Sequence, residues 1–209
     1  MKTEKIIRTT ALFSLLGAIG LLVWWFSMPV FLPVSLSATH FQELILDQDW
    51  TLVNLVGLIA TVLLTLGFPG FYLSKQEDFR QPGFLGLVLA STGLILFVSI
   101  QYYETLLWPA AARVNPDLLQ VQGALVSGDR GVLAGLLVSG IFLGVGYILF
   151  GIAALRIKAF PKLPTWFLLV GAPVFGNGIV FPVRTLGLIL FCTGILWWAI
   201  WLRKNIKSH

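Results

Sequence analysis

Cysteine, histidine and charge are all scarce in this chain. Of 209 residues one is cysteine, Cys192, two are histidine, His40 and His209, and 11% are Asp, Glu, Lys or Arg; an ordinary soluble domain carries about 25% charged residues. A lone thiol cannot form an intrachain disulfide, so dithiol redox chemistry is excluded. Cys192 lies in the middle of an apolar run and reads as a small buried residue. No apolar run contains His or Asp. That removes bis-histidine haem, serine and aspartyl intramembrane proteolysis, and proton relays at mid-depth. No aspartate cluster suits magnesium-dependent prenyl transfer. HExxH and P-loop motifs are also missing. No cofactor, metal site or catalytic residue is therefore expected. The basic residues are spread too thinly to track a phosphate backbone, so nucleic acid is not an expected partner.

Apolar residues are what the chain has in abundance: 57% of the total, with a mean hydropathy of +0.91. A protein of this length has no interior large enough to hide that surface, so lipid must cover part of it. Spanning about 30 Å of hydrocarbon takes roughly 20 apolar residues. The qualifying runs are 8–30, 51–74, 83–103, 131–155, 163–177 and 183–202. The expected fold is all-α: a single transmembrane domain over 1–209, a polytopic bundle of six helices with short extracytoplasmic interfacial helices. The N-terminus imitates a signal-peptide n-region, and Ser35-Leu36-Ser37-Ala38 imitates a cleavage site. The apolar stretch from Ile6 to Val34 is far longer than an h-region, and it reads as a retained first span.

Orientation follows from the cations. With the N-terminus in the cytosol, eleven of the fourteen Lys and Arg residues fall in cytosolic segments and three, Arg113, Arg130 and Arg184, fall outside. Three acids lie inside and six outside. The positive-inside rule then puts both termini in the cytosol of a bacterium, with the chain in its inner membrane. Trp24, Trp25, Trp197, Trp198 and Trp201 lie near span ends and are expected to anchor at headgroup level.

Both long connections, 31–50 and 104–130, are extracytoplasmic in this frame. Thr39-x-x-Gln42 fits a capping box ahead of Phe41, Leu44 and Ile45. Asn115-Pro116-Asp117 reads as N-cap, N1 and N2 of a helix running through Leu118, Leu119, Val121, Leu125 and Val126 to Gly128. The stretch Gly67–Leu73 with Pro82 resembles Gly146–Ile152 with Pro164, a weak internal repeat of two hairpins.

Small residues mark packing surfaces. The fourth run carries two GxxxG pairs, Gly131/Gly135 and Gly140/Gly144, which let backbones approach closely. It is expected to be the central helix of the bundle, or to take a partner helix. Thr10, Ser14 and Ala18 form a second ladder on the first run, where another membrane protein could dock.

Polar side chains are expensive in a bilayer, so their positions carry information. Asn54, Gln101, Tyr102, Tyr103, Glu104, Asn177 and Arg184 all fall toward the extracytoplasmic end. The fifth run is only about 15 residues, roughly 22 Å of helix. It ends at Gly176-Asn177-Gly178, with Pro182 beyond, so the turn is expected inside the outer leaflet, where protein or a water-lined cavity must satisfy its backbone. These seven residues are expected to line an outward pocket, with Glu104 and Arg184 pairing across it. His40 and Glu43, three apart, read as surface residues of the outer helix.

Six spans, both termini inside and basic turns before Pro-x-x-Leu make the chain resemble small uncharacterised bacterial inner-membrane proteins. The layout is also similar to the substrate-capturing subunits of energy-coupling vitamin transporters, which implies six helices, an outward pocket and a small-residue ladder on helix one. Thr10, Ser14 and Ala18 depart from that family's alanine ladder. The expected function is a membrane binding or transport component whose pocket takes a small, partly apolar ligand or a lipid. The alternatives are a non-catalytic assembly subunit and an outer-leaflet lipid-modifying enzyme using Glu104, His40 or a tyrosine.

Overall fold

A computed structural model describes residues 2–33, 40–120, 122–158, 160–177 and 181–205. Among these the regular structure is entirely helical: α1 (Lys2–Phe31), α2 (Phe41–Ile45), α3 (Trp50–Gly67), α4 (Pro69–Leu73), α5 (Gln81–Tyr102), α6 (Trp108–Val114), α7 (Arg130–Ile157), α8 (Lys162–Asn177) and α9 (Phe181–Asn205). Five helical stretches, within 3–31, 50–73, 81–114, 124–157 and 181–205, are long and apolar enough to cross a membrane. The chain is a multi-pass membrane protein. At 16 residues with Pro173 inside, α8 is shorter than these five.

Local chemistry sets the helix ends. Asp129 caps α7 by accepting from the backbone N–H groups of Gly131 (2.7 Å) and Val132 (3.1 Å). Lys158, left-handed at φ 52°, ends it. Pro69 cannot donate to the helical ladder, and α3 gives way to α4 there. Beyond Tyr102 the chain does not stop at 103 as the hydropathy suggests. A π-helical turn, Tyr103–Leu107, carries it into α6 and accommodates Pro109. Hydroxyls inside the spans bond the carbonyl one turn back, as Thr61 does to Gly57 and Thr165 does to Pro161, so lipid meets few unpaired groups.

The long helices form a closed ring in chain order. α1 packs on α3, α3 on α5, α5 on α7, α7 on α8, α8 on α9, and α9 back on α1. Every neighbour is antiparallel: Gly17 meets Ala60 and Leu64, Gly86 meets Gly146 and Phe150, and Gly171 meets Gly187 and Phe191. α7 is thus one ring member, not the central helix expected from its glycines. Gly140 and Gly144 are spent inside the chain, on Gly176 and Pro173 of α8. The first-helix ladder is spent likewise: Gly67 and Gly70 lie against Thr10 and Ser14, and Ala18 is fully buried.

At one end the ring gathers Lys5, Arg8, Arg80, Arg156 and Arg203. Toward this basic end its interior is filled with rings. α4 turns inward and sets Phe68 against Tyr147 and Phe150, and Phe71 against Phe160 and Trp198. Trp198 is fully buried and donates to Thr165 Oγ1 at 3.2 Å. Trp24 and Trp25 are buried too, donating to Asn54 Oδ1 (3.1 Å) and Thr185 Oγ1 (2.9 Å). These three indoles are core residues rather than headgroup anchors, because each N–H finds a partner on a neighbouring helix. The repeat does not reach the backbone either. α4 breaks away at Pro69, whereas α7 runs unbroken through Gly146–Ile152.

The connections at the other end are less regular than expected. Thr39 and Ser35–Ala38 lie outside the described residues. His40 precedes α2 without a side-chain cap, and Leu44 and Ile45 are buried. Asn115 accepts from Asp117 N–H, but the helix it starts is a single 3-10 turn, Pro116–Leu119. A separate π-helical turn covers Ala124–Gly128.

Candidate functional site

Opposite the basic end, the ring encloses a cavity of about 500 Å³, within the usual size range of small-molecule and cofactor sites. Five helices wall it: α1 through Trp24 and Trp25, α5 with the π-helical turn after it through Phe97 to Glu104, α7 through Leu133 to Leu143, α8 through Phe175 to Asn177, and α9 through Phe181 and Arg184. Most of the wall is apolar. Gln101, Glu104, Asn177 and Arg184 interrupt it, four of the seven residues singled out from sequence.

Arg184 is held by rings. Its guanidinium lies 5.5 Å from the centroid of Trp25 and 5.4 Å from that of Phe175. Trp25 is itself fixed, stacked on Phe181 at 4.9 Å and bonded to Thr185. Cation–π contact with two faces steadies a desolvated guanidinium but leaves its in-plane N–H groups unused. The Nε atom is buried with no acceptor. The expected ion pair with Glu104 is absent. Among the described residues the ion pairs within 4.0 Å are Arg8–Glu4 and His40–Glu43.

Gln101 is 1% exposed, and its Oε1 is buried without a donor. Leaving such an atom unpaired costs about 1–3 kcal/mol. Asn177 serves structure: its amide donates to Gly140 O and Pro173 O, both at 3.1 Å, and ties the end of α8 to α7. Glu104 holds its place through its backbone, whose carbonyl accepts from Trp50 Nε1 at 2.9 Å. Its side chain borders both this cavity and a smaller hollow of about 270 Å³ between α5, Trp108 and α7.

Three expected residues lie elsewhere. Asn54 stands behind the wall, accepting from Trp24 and donating to Trp50 O at 2.9 Å. Tyr102 is half exposed on the outside of the ring. Tyr103 lines the smaller hollow, its hydroxyl 3.4 Å from Leu125 O.

Among the described residues the wall is incomplete on one flank. α8 ends where Gly176 meets Gly140, yet α7 runs ten residues further, Arg130 to Ser139, roughly 15 Å of helix. No part of α8 accompanies that stretch. Leu133, Leu136, Leu137 and Val138 are exposed, and a side chain built on Gly135 would touch nothing within 4 Å. Among the described residues no neighbouring helix meets Gly131 or Gly135 as a GxxxG face would require. Among the described residues nothing covers the cavity between α7 and α9 beyond the end of α8; residues 178–180, which join α8 to α9 and hold the expected turn, lie outside the described residues.

Sequence gives no signal for Trp25 and Phe175 as the clamp on Arg184, because the contacts join residues about 160 and ten positions apart on different helices. The chain matches no known family model, no curated protein and no solved structure.

Proposed function

We propose that this protein is an integral membrane binding or transport component that holds a small, partly apolar ligand or a lipid in a pocket facing the extracytoplasmic side. In this reading all six ring helices span the bilayer. α8 does so as a short span, and the segments around α2 and α6 lie at the interface. The basic end faces the cytosol of a bacterial cell with both termini, which agrees with the crowding of cations there.

One observation carries the proposal: a guanidinium and a buried amide oxygen, both short of hydrogen-bond partners, line an apolar-walled cavity. Arg184 Nε and Gln101 Oε1 are each buried without a partner, and leaving such a group unpaired costs about 1–3 kcal/mol. A fold retains such groups where something else completes them. Among the described residues no other acid and no histidine lines the two cavities that Glu104 borders, which favours binding over acid–base catalysis.

The test is ligand retention. Glu104→Gln and Arg184→Ala are expected to lower ligand-dependent thermal stabilisation of the detergent-purified protein while leaving it folded. If no ligand's stabilisation depends on either residue, the pocket is not a binding site.

A second reading rests on Gly135. The unpacked stretch Gly131–Val138 could receive a partner helix, as an assembly subunit would require. Native mass spectrometry separates the two, since it reports bound small molecules and protein stoichiometry together.

A further inference from the structure

The pocket presents both signs of charge, and they are not joined. Arg184 offers donors, with Nε buried and unpaired. Glu104 and Gln101 Oε1 offer acceptors. The guanidinium and the carboxylate line one cavity but form no ion pair within 4.0 Å. A simple anion would satisfy Arg184 and add a second negative charge beside Glu104. A simple cation would do the reverse. A neutral apolar molecule would satisfy neither. The group that completes the site carries an anion and a hydrogen-bonding cation on one short linker.

The surroundings add an apolar part to that ligand. Phe97, Leu133 and Leu137 line the same cavity, and among the described residues nothing beyond the end of α8 covers the flank between α7 and α9, where Leu133, Leu137 and the neighbouring Val138 are exposed. A chain attached to the polar head can leave by that flank without crossing a packed helix.

Resting on the binding reading above, we propose that the cavity takes the head of a zwitterionic bilayer lipid with a primary ammonium, of the phosphatidylethanolamine type. The phosphate lies on Arg184, the ammonium lies between Glu104 and Gln101 Oε1, and the acyl chains exit between α7 and α9. A primary ammonium has N–H groups to donate to both acceptors. A trimethylammonium has none and is excluded for that reason.

The experiment is competitive retention from mixed micelles of phosphatidylethanolamine, phosphatidylglycerol and phosphatidylcholine with identical acyl chains, read by native mass spectrometry of the full chain. The ethanolamine lipid should be retained over both others by about tenfold or more, the effect of one charge-assisted hydrogen bond. Glu104→Gln should bring the ethanolamine lipid down to the level of the glycerol lipid. Arg184→Gln should release both. Monodispersity and lipid-free melting temperature verify that each variant is folded, and Tyr102→Phe, outside the cavity, should retain the wild-type order. Glycerophosphoethanolamine, the soluble head alone, should not compete at equal concentration. If it competes as well as the lipid, the bilayer is not the source of the ligand. Retention that depends on Arg184 but ignores the ammonium would overturn this assignment and leave the pocket standing. Retention of no lipid, together with no effect of Arg184→Gln on any ligand, would overturn the pocket itself.

Discussion

Toward the basic end the ring helices close on Phe68, Phe71, Phe150, Phe160 and Trp198, while toward the other end they surround Gln101, Glu104, Arg184 and about 500 Å³ of space. The helices are the same; only their filling changes. In lipid the hydrophobic drive between helices is absent, and close packing with internal hydrogen bonds holds a bundle together. The aromatic half meets most of that demand, although the Tyr147 hydroxyl stays buried without a partner. Ring faces and edges interlock, and Trp198 satisfies its N–H on Thr165. The other half gives up packing and leaves hydrogen bonds unmade. The plugged half therefore supplies the stability that the hollow half does without.

Leucine scanning of the α7 glycines should expose this difference most strongly. A side chain at Gly146 would collide with the backbone of Ala90, whereas at Gly135 it would meet nothing within 4 Å among the described residues. Gly146→Leu should abolish the folded, monodisperse protein. Gly135→Leu should leave the melting temperature essentially unchanged. Equal tolerance at both positions would mean that α5 and α7 do not touch as described.

Truncation should give the next largest contrast. Phe71 is 1% exposed and packs on Phe68, Phe160 and Trp198. Phe71→Ala should cost about 3–5 kcal/mol, the range for buried aromatic truncation. Leu137→Ala, at a position 50% exposed, should cost no more than about 0.5 kcal/mol. Reversible unfolding in mixed micelles would measure both. Similar losses at the two sites would place the core elsewhere.

Sequence makes depth along the membrane legible but not rotation about a helix axis. The apolar runs, the short fifth run and the Asn177 turn locate the polar residues at one end, and Gln101, Glu104, Asn177 and Arg184 do line one cavity there. Tyr102 shares that depth and points outward, one residue and about 100° around the helix from buried Gln101. In α5 both the buried and the exposed face are apolar, so amphipathicity cannot tell them apart. The same ambiguity hides the buried state of Trp24, Trp25 and Trp198. A tryptophan near a span end has one sequence signature whether its N–H meets water or a neighbouring helix. Membership of a closed ring was equally hidden, since a GxxxG pair reads the same when its partner is the next helix of its own chain.

Asn54 turns that ambiguity into the smallest expected effect. By depth it belongs with the cavity residues; by contact it belongs to the scaffold, bonded to Trp24 Nε1 and Trp50 O. Asn54→Leu preserves volume and removes the acceptor from a buried indole. The cost should be about 1–3 kcal/mol, the range for one buried donor left unpaired. Trp24 lines the cavity with its ring, and the ring stays in place when only its N–H partner goes. Ligand retention should therefore match wild type once compared at equal folded fraction. If Asn54→Leu instead removes ligand while the melting temperature holds, Asn54 reaches the ligand directly, and the boundary between scaffold and pocket must be redrawn on the far side of Trp24.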